Sequence, residues 1–200
     1  INRDYGSHAV YDVGKTLVSG GGSSSKDARV INTNLATPQV SATSPMAFGR
    51  RQHNLTLLAD GSVLATGGNS TGAGLIDMNG GVYNAERWDP ATGQWTTLAA
   101  QAVTRQYHST ALLLPDGRVL SSGGGICGTC DQVHYLAKNA EIFTPPYLFK
   151  KDGSGELAPR PEITGAPGSV RHGTAFQITT PNAASIQKVG LVRLGSQTHS

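Results

Sequence analysis

Apolar positions along this chain cluster into short runs that come in pairs. A histidine stands before each pair, a glycine-bearing turn splits it, and a Gly-Gly doublet closes it. Residues 8–21 read HAVYDVGKTLVSGG, residues 53–68 read HNLTLLADGSVLATGG and residues 108–124 read HSTALLLPDGRVLSSGG. In every copy six residues separate the turn glycine from the first glycine of the doublet: Gly14 and Gly20, Gly61 and Gly67, Gly117 and Gly123. Two apolar runs around a glycine turn predict a β-hairpin. His8 to His53 is 45 residues and His53 to His108 is 55. A hairpin repeated at that spacing predicts propeller blades, with a kelch repeat of about 50 residues as the nearest period.

The second half of each unit carries its own pattern. After Gly68 comes Asn84-Ala85-Glu86-Arg87-Trp88-Asp89-Pro90, the turn Ala91-Thr92-Gly93-Gln94, and Trp95; after Gly124 comes Asn139-Ala140-Glu141-Ile142-Phe143-Thr144-Pro145. A glycine doublet, an aromatic-bearing strand, a D-P-x-T-G turn and a tryptophan make the kelch motif. The doublet permits close passage of strands, the turn reverses the chain, and Trp95 is expected to fill the gap between blades.

The expected fold class is therefore all-β. Residues 1–155 are read as the last two to three kelch blades of an incomplete ring, ending in a polar linker, KKDGSGE, at 150–156. Residues 156–200 are read as the truncated first part of an Ig-like sandwich, with strands expected at 162–164, 176–179 and 188–194. The chain opens on Ile1 inside a blade-like pattern, so it is read as a piece of a longer protein. With both ends leaving strand edges unpaired, it is expected to fold poorly alone.

Composition narrows the partners. Charged residues are 14% of the chain, the net charge is +3, and 26 of 200 residues are glycine. Arg50-Arg51 and Lys150-Lys151 are the sole basic pairs, so no stripe follows a phosphate backbone and nucleic acid is not an expected partner. No apolar run nears the roughly 18 residues that cross a bilayer, and no membrane is expected either. The two cysteines, Cys127 and Cys130, form a C-G-T-C run behind Gly123-Gly124-Gly125. A redox pair, two zinc ligands completed by His134, and a short structural disulfide are the three readings. A glycine-rich loop after a strand favours the disulfide, in an oxidising compartment.

Six histidines are present: His8, His53, His108, His134, His172 and His199. His8 and His53 share the repeat slot of His108, where an imidazole ordinarily serves backbone hydrogen bonding or packing, and His172 sits in a solvated turn. His108 differs in following Tyr107, which replaces the Gln52 of the preceding copy. Strand alternation tends to point the two rings apart. His199 lies in a loop after the last expected strand, a route by which a neighbouring domain reaches a propeller's central channel. Two imidazoles and a phenolate suit copper(II), which takes N and O donors in a tetragonal arrangement.

Several blocks resemble one family. They are Arg105-Gln106-Tyr107-His108-Ser109, residues 112–119 (LLLPDGRV), 123–130 (GGGICGTC) and 142–148 (IFTPPYL). Residues 160–164 (RPEIT) and 191–195 (LVRLG), then Thr198-His199, continue the likeness. Together they look like the late propeller and C-terminal domain of the galactose oxidase and glyoxal oxidase family, the mononuclear copper radical oxidases. The resemblance covers nearly the whole chain. It implies a secreted enzyme, monomeric at full length, that oxidises a primary alcohol or aldehyde and reduces O2 to H2O2, with carbohydrate a further candidate partner. It implies Tyr107 as axial copper ligand and catalytic base, His108 and His199 as equatorial ligands, and a Cys127–Cys130 disulfide. The Tyr-Cys radical cofactor of the family is expected upstream, not in this chain, so the chain alone is expected to be inactive. A non-enzymatic kelch propeller that binds carbohydrate or protein is the alternative.

The small, glycine-rich loop at 69–80 leans the substrate towards small aldehydes or a broad range of alcohols rather than galactose alone. Of two glycosylation sequons, Asn54-Leu55-Thr56 lies in an expected inner strand, whereas Asn69-Ser70-Thr71 is expected in an open loop.

Overall fold

The computed structural model describes residues 2–72, 74–193 and 195. Its strands form three antiparallel sheets in which neighbours follow chain order. Strands β1 (Ser7–Asp12), β2 (Lys15–Ser19), β3 (Ala28–Asn32) and β4 (Gln39–Ala42) make the first. The second comprises β5 (Arg51–Leu57), β6 (Val63–Asn69), β7 (Asn84–Asp89) and β8 (Gln94–Ala100). The third has β9 (Ser109–Leu113), β10 (Val119–Gly123) and β11 (Ala140–Phe143). The three expected hairpins are β1–β2, β5–β6 and β9–β10, with Ala9 opposite Leu17, Leu55 opposite Ala65 and Ala111 opposite Ser121.

The lead strands of the sheets lie side by side. The Leu55 N–H donates to Ser7 Oγ at 3.0 Å, Asn54 Nδ2 to Ser109 Oγ at 3.0 Å, and Thr56 Oγ1 to the Ala111 carbonyl at 3.2 Å. Behind them the first two sheets share a core of Ala9, Leu17, Ala28, Val63 and Trp88. Trp88 is the filler there, fully buried, edge-on to Tyr11 at 4.9 Å and tied by Nε1 to Thr43. Trp95, expected in that role, packs at the margin and donates to the Ser44 carbonyl at 2.9 Å.

A repeated arginine fixes the approach to each lead strand. Arg50 Nη1 donates to the Gly67 carbonyl and Nη2 to the Asn84 carbonyl, and the guanidinium pairs with Glu86 at 2.8 Å with both side chains wholly buried. Arg105 repeats this on Gly123, Asn139 and Glu141. Arg3 does so on Gly20 and Asp27. The carboxylates work twice: Glu86 also accepts from the Ala47 N–H at 2.6 Å and Glu141 from the Ala102 N–H at 2.6 Å. Charge-assisted bonds to otherwise orphaned backbone groups make this a rigid frame.

His53 belongs to the frame. It is buried, with Nε2 against Ser19 Oγ at 2.9 Å. Burial, and then the charge of Arg50, push its pKa down to about 3. An unfolded histidine titrates near 6.5, so the neutral ring's contribution is full above that pH and drains away as pH falls towards 3, by about 1.4 kcal/mol per pH unit. His53→Asn should flatten the acid limb of a melting-temperature profile by close to one proton's worth of slope.

Residues 146–191 form a separate compact unit; residues up to 145 join with 192, 193 and 195 in the other. In the smaller unit the stretch read as a linker is a turn closed by the Phe149–Leu157 bridge. The strands expected from residue 162 onward are not formed among the described residues. One bridge, Gly165 to Thr179, and a 3-10 turn at Ala183–Ser185 stand in that region.

Candidate metal centre

Tyr107 and His108 stand just ahead of β9, after Arg105 has anchored the chain. His108 takes a left-handed backbone, φ 61°. That turn, made before the pleat of β9 begins, cancels the alternation expected to separate the rings. They stack instead, centroids 3.8 Å apart and planes 28° from parallel. The glycine run at 123–125 holds the pair from the other side. The Gly125 N–H donates to the Tyr107 carbonyl at 2.9 Å, and His108 Nδ1 lies 3.0 Å from the Gly125 carbonyl. A carbonyl can only accept, so Nδ1 carries the proton and Nε2 keeps its lone pair for a ligand. Glycine is required at 124, where φ is 125° and a Cβ would fall 2.0 Å from the Tyr135 oxygen.

Both rings line a cavity of about 280 Å³ with Tyr5, Gln52 and His53. Tyr5, Gln52 and Tyr107 each lie two residues past a frame arginine. Gln52 is fixed by Asn69, whose Nδ2 donates to Gln52 Oε1 at 3.1 Å. Asn69 is fully buried at the end of β6, so its amide nitrogen is already engaged. The second sequon, expected in an open loop, is therefore closed to glycosylation in the folded chain.

Cys127 and Cys130 are disulfide-bonded, with Cα atoms 4.9 Å apart. Both sulfurs are consumed, which removes the zinc reading with His134. Cys127 caps the start of a five-residue helix, α1 (Gly128–Gln132), and Cys130 sits within it, between antiparallel strands rather than in a βαβ setting.

His8 is exposed on β1, and His134 and His172 are exposed too. His199 lies outside the described residues. The described part of its segment, Arg193 and Gly195, lines a cavity of about 450 Å³ together with His8, Leu55 and Leu112 of the three lead strands. Among the described residues no three His, Cys, Asp or Glu side chains converge.

Sequence reading missed the arginine frame and Tyr135. The frame had a signal: Arg50 precedes Glu86, and Arg105 precedes Glu141, by the same 36 residues. Tyr135 had none, since nothing near it repeats.

The chain is 36% identical over 207 residues to galactose oxidase of Gibberella zeae, covering 98% of this chain and 29% of that enzyme. It is 31% identical over 189 residues to the aldehyde oxidase GLOX of Vitis pseudoreticulata, covering 81% of this chain and 34% of that one. A fungal alcohol oxidase of the AA5 family, solved in complex with copper, superposes with a TM-score of 0.80 at 31% identity. That match covers 90% of this chain and 39% of the other. The chain belongs to the galactose oxidase and glyoxal oxidase family. No family model matches it. YjhT, at 16% identity and a TM-score of 0.57, shares the fold alone. This galactose oxidase-like chain spans about a third of the curated relatives' length. Within it no helix of the described residues is long and apolar enough to cross a membrane.

Proposed function

We propose that this chain is the copper-binding part of a secreted copper radical oxidase that converts primary alcohols or aldehydes with reduction of O2 to H2O2. Tyr107, His108 and His199 are the ligands in this reading, residues 1–155 are kelch blades, and 156–200 begin an Ig-like domain. The observation that carries it is the stacked Tyr107–His108 pair, with Nδ1 of His108 committed to the Gly125 carbonyl and both rings on one cavity. A phenol and an imidazole Nε2 side by side fit copper(II). The disulfide suits an oxidising, extracellular setting.

Bound copper would supply one-electron redox chemistry, with the second electron held by the family's Tyr-Cys cofactor. In net terms an alcohol loses two electrons and two protons, and O2 gains both. The chain's own part is local. The Tyr107 phenolate takes the substrate's hydroxyl proton, and the Gly125 carbonyl holds His108 in the tautomer that can ligate. Arg193 and Gly195 lie along the lead strands, which supports delivery of His199 from the same segment.

Metal analysis and Cu(II) EPR of the intact protein test the reading. About one copper per chain in a tetragonal site with two coupled nitrogens is expected. His199→Ala should remove one nitrogen coupling and most of the copper. Unchanged copper and oxidase activity in that variant would refute the ligand set.

A further inference from the structure

The helix and loop that follow the glycine run reach back to the candidate ligands through one side chain. Tyr135 is 4% exposed and lies three residues past the end of α1. Its N–H donates to the Cys130 carbonyl at 2.9 Å, which ties it to the disulfide-closed turn. Its phenol oxygen accepts from the Gln106 N–H at 2.8 Å and donates to the Thr104 carbonyl at 3.2 Å. Gln106 is itself braced, exchanging side-chain bonds with the Asp77 backbone at 2.7 and 2.8 Å. The same phenol lies against the backbone of Gly124, the residue before the Gly125 that holds both Tyr107 and His108. One hydroxyl thus touches the chain entering the pair and the loop bracing it. Burial raises the Tyr135 phenol above its usual range, so it stays protonated and keeps both bonds.

We propose that Tyr135 is a positioning residue for the Tyr107–His108 pair, anchored in turn by the Cys127–Cys130 turn. Its importance for turnover rests on the copper reading above; its mechanical role does not. Without the hydroxyl, the Gln106 N–H loses its acceptor in a buried setting and the 104–108 segment gains freedom relative to Gly124 and Gly125.

Tyr135→Phe in the intact protein, followed by amide hydrogen exchange without copper, tests this. Exchange at Gln106 should quicken about five- to tenfold from the lost bond. Exchange at Gly125, whose N–H is bonded to Tyr107 and not to Tyr135, should quicken with it. Reducing the disulfide with a phosphine should move both amides the same way while leaving the phenol in place, which guards against a variant that does not fold. In copper-loaded protein the tyrosinate-to-copper absorption band should shift in Tyr135→Phe. Fast exchange confined to Gln106, with Gly125 and the band unmoved, would overturn the proposal. A wild-type protein that takes up no copper would instead sink the function, and Gly125 exchange would still decide the role of Tyr135.

Discussion

Tyr107→Phe should keep most of the copper and lose turnover by about a hundred- to ten-thousandfold, the range a positioned general base contributes. The substitution deletes one oxygen and leaves the ring stacked on His108, whose contact is through the ring faces. His108 keeps its bond to the Gly125 carbonyl, and Gly125 keeps its bond to the backbone of residue 107, so the loop has no reason to move. What disappears is the phenolate that, in the proposed reading, takes the hydroxyl proton. The measurement pairs kcat with copper stoichiometry on the same preparation. If turnover stayed within a few-fold of wild type with copper retained, Tyr107 would not be the base. If copper were lost along with activity, Tyr107 would be a main holder of the metal rather than chiefly a base.

Arg50→Met should cost about 3–5 kcal/mol of unfolding free energy, the usual penalty for stripping one partner from a buried ion pair. Glu86 has no exposed surface, and with Arg50 gone its buried charge keeps the Ala47 backbone N–H but loses its cation. The Gly67 and Asn84 carbonyls lose their donor in the same stroke. Burial already lowers the Arg50 pKa despite its partner, a sign of how dry the site is. A domain holds about 5–15 kcal/mol in all, so the variant should sit near the edge of folding. Arg105→Met offers the contrast. Glu141 remains 26% exposed and can recruit water, so the second substitution should cost less. Urea midpoints of the two variants in the intact protein check the order. Equal costs would mean that burial of the carboxylate does not govern the loss.

The hairpins were readable because turn glycines and paired apolar runs are local signals, and their registers follow from them. The smaller unit was not. Glu162-Ile163-Thr164 and Phe176-Gln177-Ile178-Thr179 have strand composition, yet Ile163 and Phe176 are exposed here and one bridge is all that pairs them. Apolar alternation announces a strand only where a partner face exists to bury it. Asn69 misled for the opposite reason. A polar residue after a glycine doublet looks like loop, but the strand runs one residue further and spends its amide on Gln52. At the candidate site residue identity was legible and geometry was not. The left-handed turn at His108 is what puts two adjacent rings on one side; histidine is enriched in that conformation, yet only a small share of residues adopt it and nothing in the local sequence demands it here.

The guanidinium frame has a consequence for how such a pocket changes over time. Arg3, Arg50 and Arg105 grip the same backbone positions in three successive sheets, and the residue two places on is free to differ: tyrosine, glutamine, tyrosine. All three of those side chains reach one cavity. Scaffold and chemistry are thereby written in separate letters of the same short word. Selection can respell the second letter sheet by sheet, trying phenol, amide or another group against whatever the cavity holds, without redrafting the fold that presents it.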